Sequence, residues 1–143
     1  MMRFSLRKRP WTWNFMKLMR NMFATHTDYG DFKGLIPTNP AFIPSNVDGI
    51  AERNGHFLIM EWKRPAEKVS EGQKRLLQAL AANPRFMVVI IYGNTDNGTQ
   101  IDSYWPLTPE GKPFKAGIGF ESFKQWYREW YNYANGAKIT KTL

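Results

Sequence analysis

The chain has 143 residues, 43% of them hydrophobic, which fits a single domain with a real core and excludes wholesale disorder. Its formal charge of +8 and pI near 9.8 favour a polyanionic partner, nucleic acid ahead of an anionic membrane surface. The absence of cysteine excludes disulfides, thiolate zinc sites and cysteine nucleophiles, and no apolar run approaches the ~18 residues that span a bilayer.

The chain opens with a basic arm over residues 1–10, carrying Arg3, Arg7, Lys8 and Arg9, and Lys17 follows in a segment of helical composition, Trp11 to Met22. No Asp or Glu precedes Asp28, so a mitochondrial transit peptide has this look too; a first helix packed by Trp13, Phe15, Met16, Met19 and Phe23 explains it more simply. His26 to Pro44 is rich in turn formers and reads as loop, with a short strand available at Phe32 to Ile36. His26, Asp28 and Asp31 lie close in sequence, which chance explains better than a metal site.

Val47 to Glu52 and Phe57 to Lys63 read as two strands joined by Asn54-Gly55, the favoured pair for a type I′ hairpin, whose two central residues both need positive φ. A two-residue turn fixes the register: Arg53 faces His56, Gly49 faces Met60, and Asp48 faces Glu61. Opposed side chains sit with Cβ atoms about 5 Å apart, so two carboxylates there repel unless a cation lies between them or one stays protonated. Lys63 shares the face of Glu61 and Trp62 points the other way, because side chains alternate. Phe57 to Met60 is apolar on both faces, the pattern of a buried central strand, and a Glu and a Lys at its end stand out against that.

Ser70 opens a helix as its N-cap, with Gln73 placed to complete a capping box. Gln73 also lies on the stripe of Leu76, Leu77 and Leu80 that faces the sheet, so it serves equally as a cap and as a side chain aimed at the strand ends. Asn83-Pro84 ends the helix. Phe86 to Tyr92 is a buried β-branched strand, and strand, helix, strand predicts a right-handed crossover between parallel strands. Thr99 to Leu107 reads as a strand or edge segment. Pro109 to Gly119 reads as a loop, whose Lys112 and Lys115 are candidates for phosphate contacts. Phe120 to Ala134 is a last helix with Phe123, Trp126, Tyr127, Trp130 and Ala134 on one apolar face, read as core.

The order of Asp48, then Glu61-x-Lys63 on a buried strand, then a Ser-x-x-Gln helix start and a second strand, resembles the PD-(D/E)xK phosphodiesterase superfamily. The virus-type replication-repair and Holliday-junction-resolvase-like nucleases are nearest in pattern. The resemblance covers about residues 44–92. It departs where Val47 stands in place of the proline before the Asp, and no Glu precedes Glu52 to serve as a ligand from the first helix. The resemblance implies an α/β (α+β) fold with a restriction-endonuclease-like core, a mixed sheet flanked by helices, in one domain over 1–143. It implies a metal-dependent nuclease acting on DNA, double-stranded or branched and with structure-specific cutting open to it, with Mg²⁺ (or Mn²⁺) held by Asp48, Glu61 and the Trp62 backbone carbonyl. Asp48, Glu61, Lys63 and Gln73 are then the catalytic set. Arg3, Arg7, Lys8, Arg9, Lys17, Lys112 and Lys115 are the candidate nucleic-acid contacts, a homodimer is the arrangement by which relatives cut two strands, and the compartment is the cytoplasm, or a host's if the chain is viral. Two rival expectations are an inactive nuclease fold that only binds nucleic acid, and a small structural protein whose polar strand end is incidental.

Overall fold

The computed structural model describes residues 28–137. By its internal contacts the chain divides into two compact units, one over Met1–Asn46 with Thr95–Thr99, the other over Val47–Asn94 with Gln100–Leu143.

The first unit, over its described residues, is built of turns. Asp28 Oδ1 accepts from the Gly30 amide at 2.8 Å, opening a 3₁₀ turn at Gly30–Phe32, and the Gly34 amide reaches the Pro40 carbonyl at 2.8 Å. Phe32 to Ile36 is therefore turn rather than strand. Gly34 has φ +81° in its middle, a conformation that breaks extended backbone.

The second unit is an α+β fold, a five-stranded mixed sheet with helices on both faces. Its strands are β1 (Gly49–Arg53), β2 (His56–Lys63), β3 (Phe86–Asn94), β4 (Gln100–Pro106) and β5 (Gly117–Ile118), and they lie in the sheet in that order. The helices are α1 (Glu71–Ala81), between β2 and β3, and α2 (Phe120–Gly136), after β5. Asn54 and Gly55 take φ +56° and +76°, as a type I′ turn demands, and the ladder runs Arg53–His56 through Gly49–Met60 in the expected register. Asn54 also ties the turn down: its side-chain amide donates to the Ala134 carbonyl at 3.2 Å, which also accepts from the Ala137 amide, and to the carbonyl of Ala137, joining the turn to the end of α2.

β2 and β3 are parallel, with α1 as the crossover. β4 returns antiparallel to β3, and β5 covers its outer edge, so Thr99 to Leu107 contains an interior strand. β5 itself falls in the segment expected to be loop, and at two residues it is too short to show any alternation. The β3–β4 register shifts between Tyr92 and Gly93, a bulge at which the Gln100 backbone crowds against Gly93.

Alternation along β2 and β3 divides the core between the two helices. Leu58, Val89 and Ile91, with Ile101 and Tyr104 of β4, pack under Phe123, Trp130 and Ala134 of α2. Ile59, Val88 and Ile90 pack under Leu77 and Ala81 of α1. Each fully buried Leu, Ile or Val contributes roughly 1.5–3 kcal/mol, so two stacked layers hold β2 and β3 rigidly in the middle. The aromatic face of α2 is core as expected at Phe123 and Trp130, with Phe123 stacked on Trp126 at 5.6 Å; Tyr127 is 40% exposed.

Candidate active site

β2 passes through the core and delivers two charged residues into it. Glu61 and Lys63 are the buried charged residues among those described, 3% and 8% exposed. They follow Ile59 on the α1 face, since side chains alternate along a strand, and Trp62 between them packs on the α2-side core. Burying ions is costly unless they are paired and hydrogen-bonded. Lys63 Nζ lies 3.3 Å from Glu61 Oε1 and 3.6 Å from Glu67 Oε2, so one ammonium bridges two carboxylates.

Glu67 had no sequence signal, because its placement depends on the turn after β2. The Glu67 amide donates to the Arg64 carbonyl at 3.0 Å, Pro65 holds the second turn position, and Ala66 takes φ +67°. That is the arrangement of a type II turn, whose third position ordinarily belongs to Gly or Asn. The strained Ala66 swings Glu67 back towards Lys63, and Glu67 Oε1 accepts from the Arg64 amide at 3.1 Å to fix it there.

Gln73 is placed by both of its readings. Its backbone amide donates to Ser70 Oγ at 3.3 Å, the N-cap bond. Its side chain does not return to complete a capping box; Nε2 donates to Glu61 Oε1. The cap fixes the helix start, and the helix aims the amide across to β2.

Asp48 lies one residue beyond the β1–β2 ladder, which stops at Gly49–Met60. Its Oδ2 accepts from the Trp62 amide at 2.8 Å, so the exposed carboxylate is pinned to the backbone between Glu61 and Lys63. Burial pushes the Glu61 carboxyl above the usual carboxylate range, and the negative charge of Asp48 pushes it further; Lys63 and the Gln73 amide pull it partly back. Asp48, Glu61, Lys63 and Gln73 are thus assembled together. Lys112 and Lys115 are exposed on the β4–β5 connection, while Arg3, Arg7, Lys8, Arg9 and Lys17 lie outside the described residues.

A raised carboxyl has a signed consequence for stability. The folded protein keeps the Glu61 proton at pH values where the unfolded chain, near 4.5, has released it, so the native state binds more protons in that window. Stability should therefore fall as pH rises from about 4.5 through the raised pKa of Glu61. Thermal midpoints measured over this range should show that decline in the wild type, and Glu61→Gln, which cannot ionise, should lack it.

The donor set suits a hard divalent cation. Glu61 Oε2 and Asp48 Oδ1 make no hydrogen bond within the described structure, and a cation between them would offset both influences that raise the Glu61 pKa. Among the described residues no group of three His, Cys, Asp or Glu forms; the two carboxylates would then be supplemented by backbone carbonyl, water and substrate oxygens, a shell that Mg²⁺ accepts.

Among the described residues no helix is long and apolar enough to cross a membrane. No family model matches the chain, and no curated protein or solved structure does either.

Proposed function

We propose that this protein is a Mg²⁺-dependent nuclease of the PD-(D/E)xK type, hydrolysing phosphodiester bonds in DNA, and that its sheet and α1 form a restriction-endonuclease-like core. The observation that carries the reading is the convergence of Asp48, just before β1, with Glu61 and Lys63 of β2 and Gln73 of α1, the Glu and the Lys being buried at the end of an interior strand. Burial of that pair costs several kcal/mol per ion before pairing, and a purely structural strand end gains nothing by bearing it.

In this reading Asp48 and Glu61 hold the metal, with the Trp62 carbonyl as the further protein ligand implied by the resemblance. The bound metal supplies Lewis-acid activation of a water and of the scissile phosphate. Lys63 is held by Glu61 and Glu67 in one orientation, so its ammonium is preorganised to place the attacking water or to neutralise charge that develops on the phosphate. The Gln73 amide holds Glu61 through Oε1, leaving Oε2 for the metal, and its carbonyl oxygen remains to accept from the attacking water. The positive charge of the whole chain, +8, draws the DNA backbone without reading its sequence.

The purified protein, given Mg²⁺ or Mn²⁺ and labelled linear, single-stranded, branched and flapped DNA, should cut at least one of them, and chelation should stop it. Asp48→Ala should abolish the cutting. Salt-sensitive DNA binding with no metal-dependent cleavage would replace this reading with that of a binding module.

A further inference from the structure

Beside the proposed catalytic residues, on the same face of the sheet, lies an open cavity of about 390 Å³. Cross-strand register places it. Lys63 pairs with Tyr92 and Glu61 with Ile90 on β3; on β4, Tyr92 pairs with Ser103 and Ile90 with Trp105. Paired residues of neighbouring strands share a face, so Lys63, Tyr92 and Ser103 form one row across the sheet and Glu61, Ile90 and Trp105 the next. Strands are spaced about 4.8 Å apart, so the Trp105 position stands roughly 10 Å from that of Glu61. Tyr92, Trp105, Ile90 and Leu77 supply mainly apolar walls, and Ser103 and Lys74 add polar groups.

The rest of the groove follows the same chemistry. Tyr92 and Trp105 are half-buried, aromatic surface left uncovered although a core lies directly beneath. The Trp105 indole N–H donates to Ser103 Oγ at 3.0 Å, which fixes the ring and leaves the Ser103 hydroxyl proton for another acceptor. Lys74 is exposed on the first half of α1 and has no carboxylate partner among the described residues. A flat aromatic group with hydrogen-bonding edges, joined to a phosphate, matches a cavity that combines aromatic walls, a hydroxyl and a free ammonium.

We infer that this groove is a nucleobase subsite, which receives one unpaired base next to the scissile phosphate by stacking on Trp105 and Tyr92, with Lys74 taking the adjoining phosphate. The inference rests on the nuclease reading and narrows its substrate class. A base inside a duplex is stacked and paired on both sides and cannot enter a side groove without extrusion, so the preferred DNA is single-stranded, flapped or otherwise unpaired at the cut.

Two measurements test it. In the first, cleavage of a flapped DNA is compared with that of the same DNA carrying an abasic residue at the unpaired position beside the cut. The wild type should show a KM about tenfold higher on the abasic DNA, the loss of one base–aromatic stack. In Trp105→Ala that difference should largely vanish, and in Trp105→Phe much of it should return; a merely structural role for Trp105 would change both substrates alike. In the second, a single-stranded oligonucleotide containing 2-aminopurine is bound with Ca²⁺ in place of Mg²⁺. Its fluorescence should be quenched by the wild type and not by Trp105→Ala, and Lys74→Gln should weaken its binding. Cleavage by the wild type that is indifferent to the abasic residue would overturn the subsite and leave the nuclease reading standing. Quenching that depends on Trp105, without cleavage by the wild type, would support the subsite and overturn the nuclease.

Discussion

In the proposed nuclease, replacing Lys63 by alanine is expected to lower kcat for DNA cleavage by about 10²–10³-fold, the effect of removing one preorganised group that stabilises transition-state charge. That corresponds to roughly 3–4 kcal/mol in the barrier. DNA affinity should change little, because one cation among 20 Lys and Arg is lost, and single-turnover kinetics at saturating DNA separates the two effects. The substitution also has a structural cost. Glu61 is 3% exposed and would lose its close cation, and stranding a buried charge destabilises a fold by about 3–5 kcal/mol when the charge stays. Glu61 has a cheaper course, which is to take up a proton, since burial and Asp48 already favour its neutral form. The variant should therefore fold, with a smaller stability loss at acidic than at neutral pH. Lys63→Arg separates charge from geometry. It keeps an ion pair with Glu61 and Glu67 and should recover most of the stability, but its planar fork does not reproduce a compact ammonium, so activity should return only in part. Full activity in Lys63→Ala would remove Lys63 from the mechanism.

The largest stability effect is expected at Gly93, where β3 bulges against β4. A Cβ there would stand 2.1 Å from the Gln100 carbonyl oxygen and 3.0 Å from the Ile101 Cα. Both obstacles are backbone, so no side-chain rotation relieves them. Gly93→Ala must pry β4 from β3 at the bulge, and a cost of about 3 kcal/mol or more follows, at or beyond the upper end for overpacked cores. Against a total stability of roughly 5–15 kcal/mol, such a loss is large, and a urea titration should show the midpoint drop. Gly72 is the control. It lies in the first turn of α1, with nothing within 4 Å of its missing Cβ, and Gly72→Ala should stabilise by about 0.5–1 kcal/mol through helix propensity and the unfolded state. Equal effects at the two glycines would contradict the close approach at the bulge.

The parts of this molecule legible in its sequence are those set by local chemistry. Asn54-Gly55 dictates a turn, the turn dictates a register, and the register brings Asp48 to the end of β2. Apolar runs of strand length on either side of a capped helix dictate the parallel crossover. The expectation weakens where a partner distant in sequence decides. Asp48 was expected to face Glu61 across the ladder, but the ladder ends at Gly49 and the Trp62 amide takes its carboxylate. Gln73 had two partners within reach of one side chain, the Ser70 amide of a capping box and the Glu61 carboxylate, and only the packing of α1 against β2 selects Glu61. Glu67 depends on a positive φ at Ala66, which nothing about alanine announces. β5 is two residues pairing with Ser103 and Tyr104, recruited because β4 had an open edge and not by any propensity of Gly117-Ile118.

The hairpin turn at Asn54-Gly55 bears on how this chain can vary in length. Surface turns ordinarily tolerate inserted and deleted residues. Here β2 is locked to β3 along seven paired positions, so it cannot slide to absorb a change. An added or missing residue in the turn would fall on β1, and a one-residue slip sends every β1 side chain to the opposite face. Glu61 and Lys63 would keep their places while the carboxylate of Asp48 was carried away from the Trp62 amide. The same slip would draw Asn54 away from the end of α2. A two-residue loop at the rim of the sheet thus has its length set by a residue at the far end of the strand, and homologous chains that keep Asp48 in use should show no gaps there.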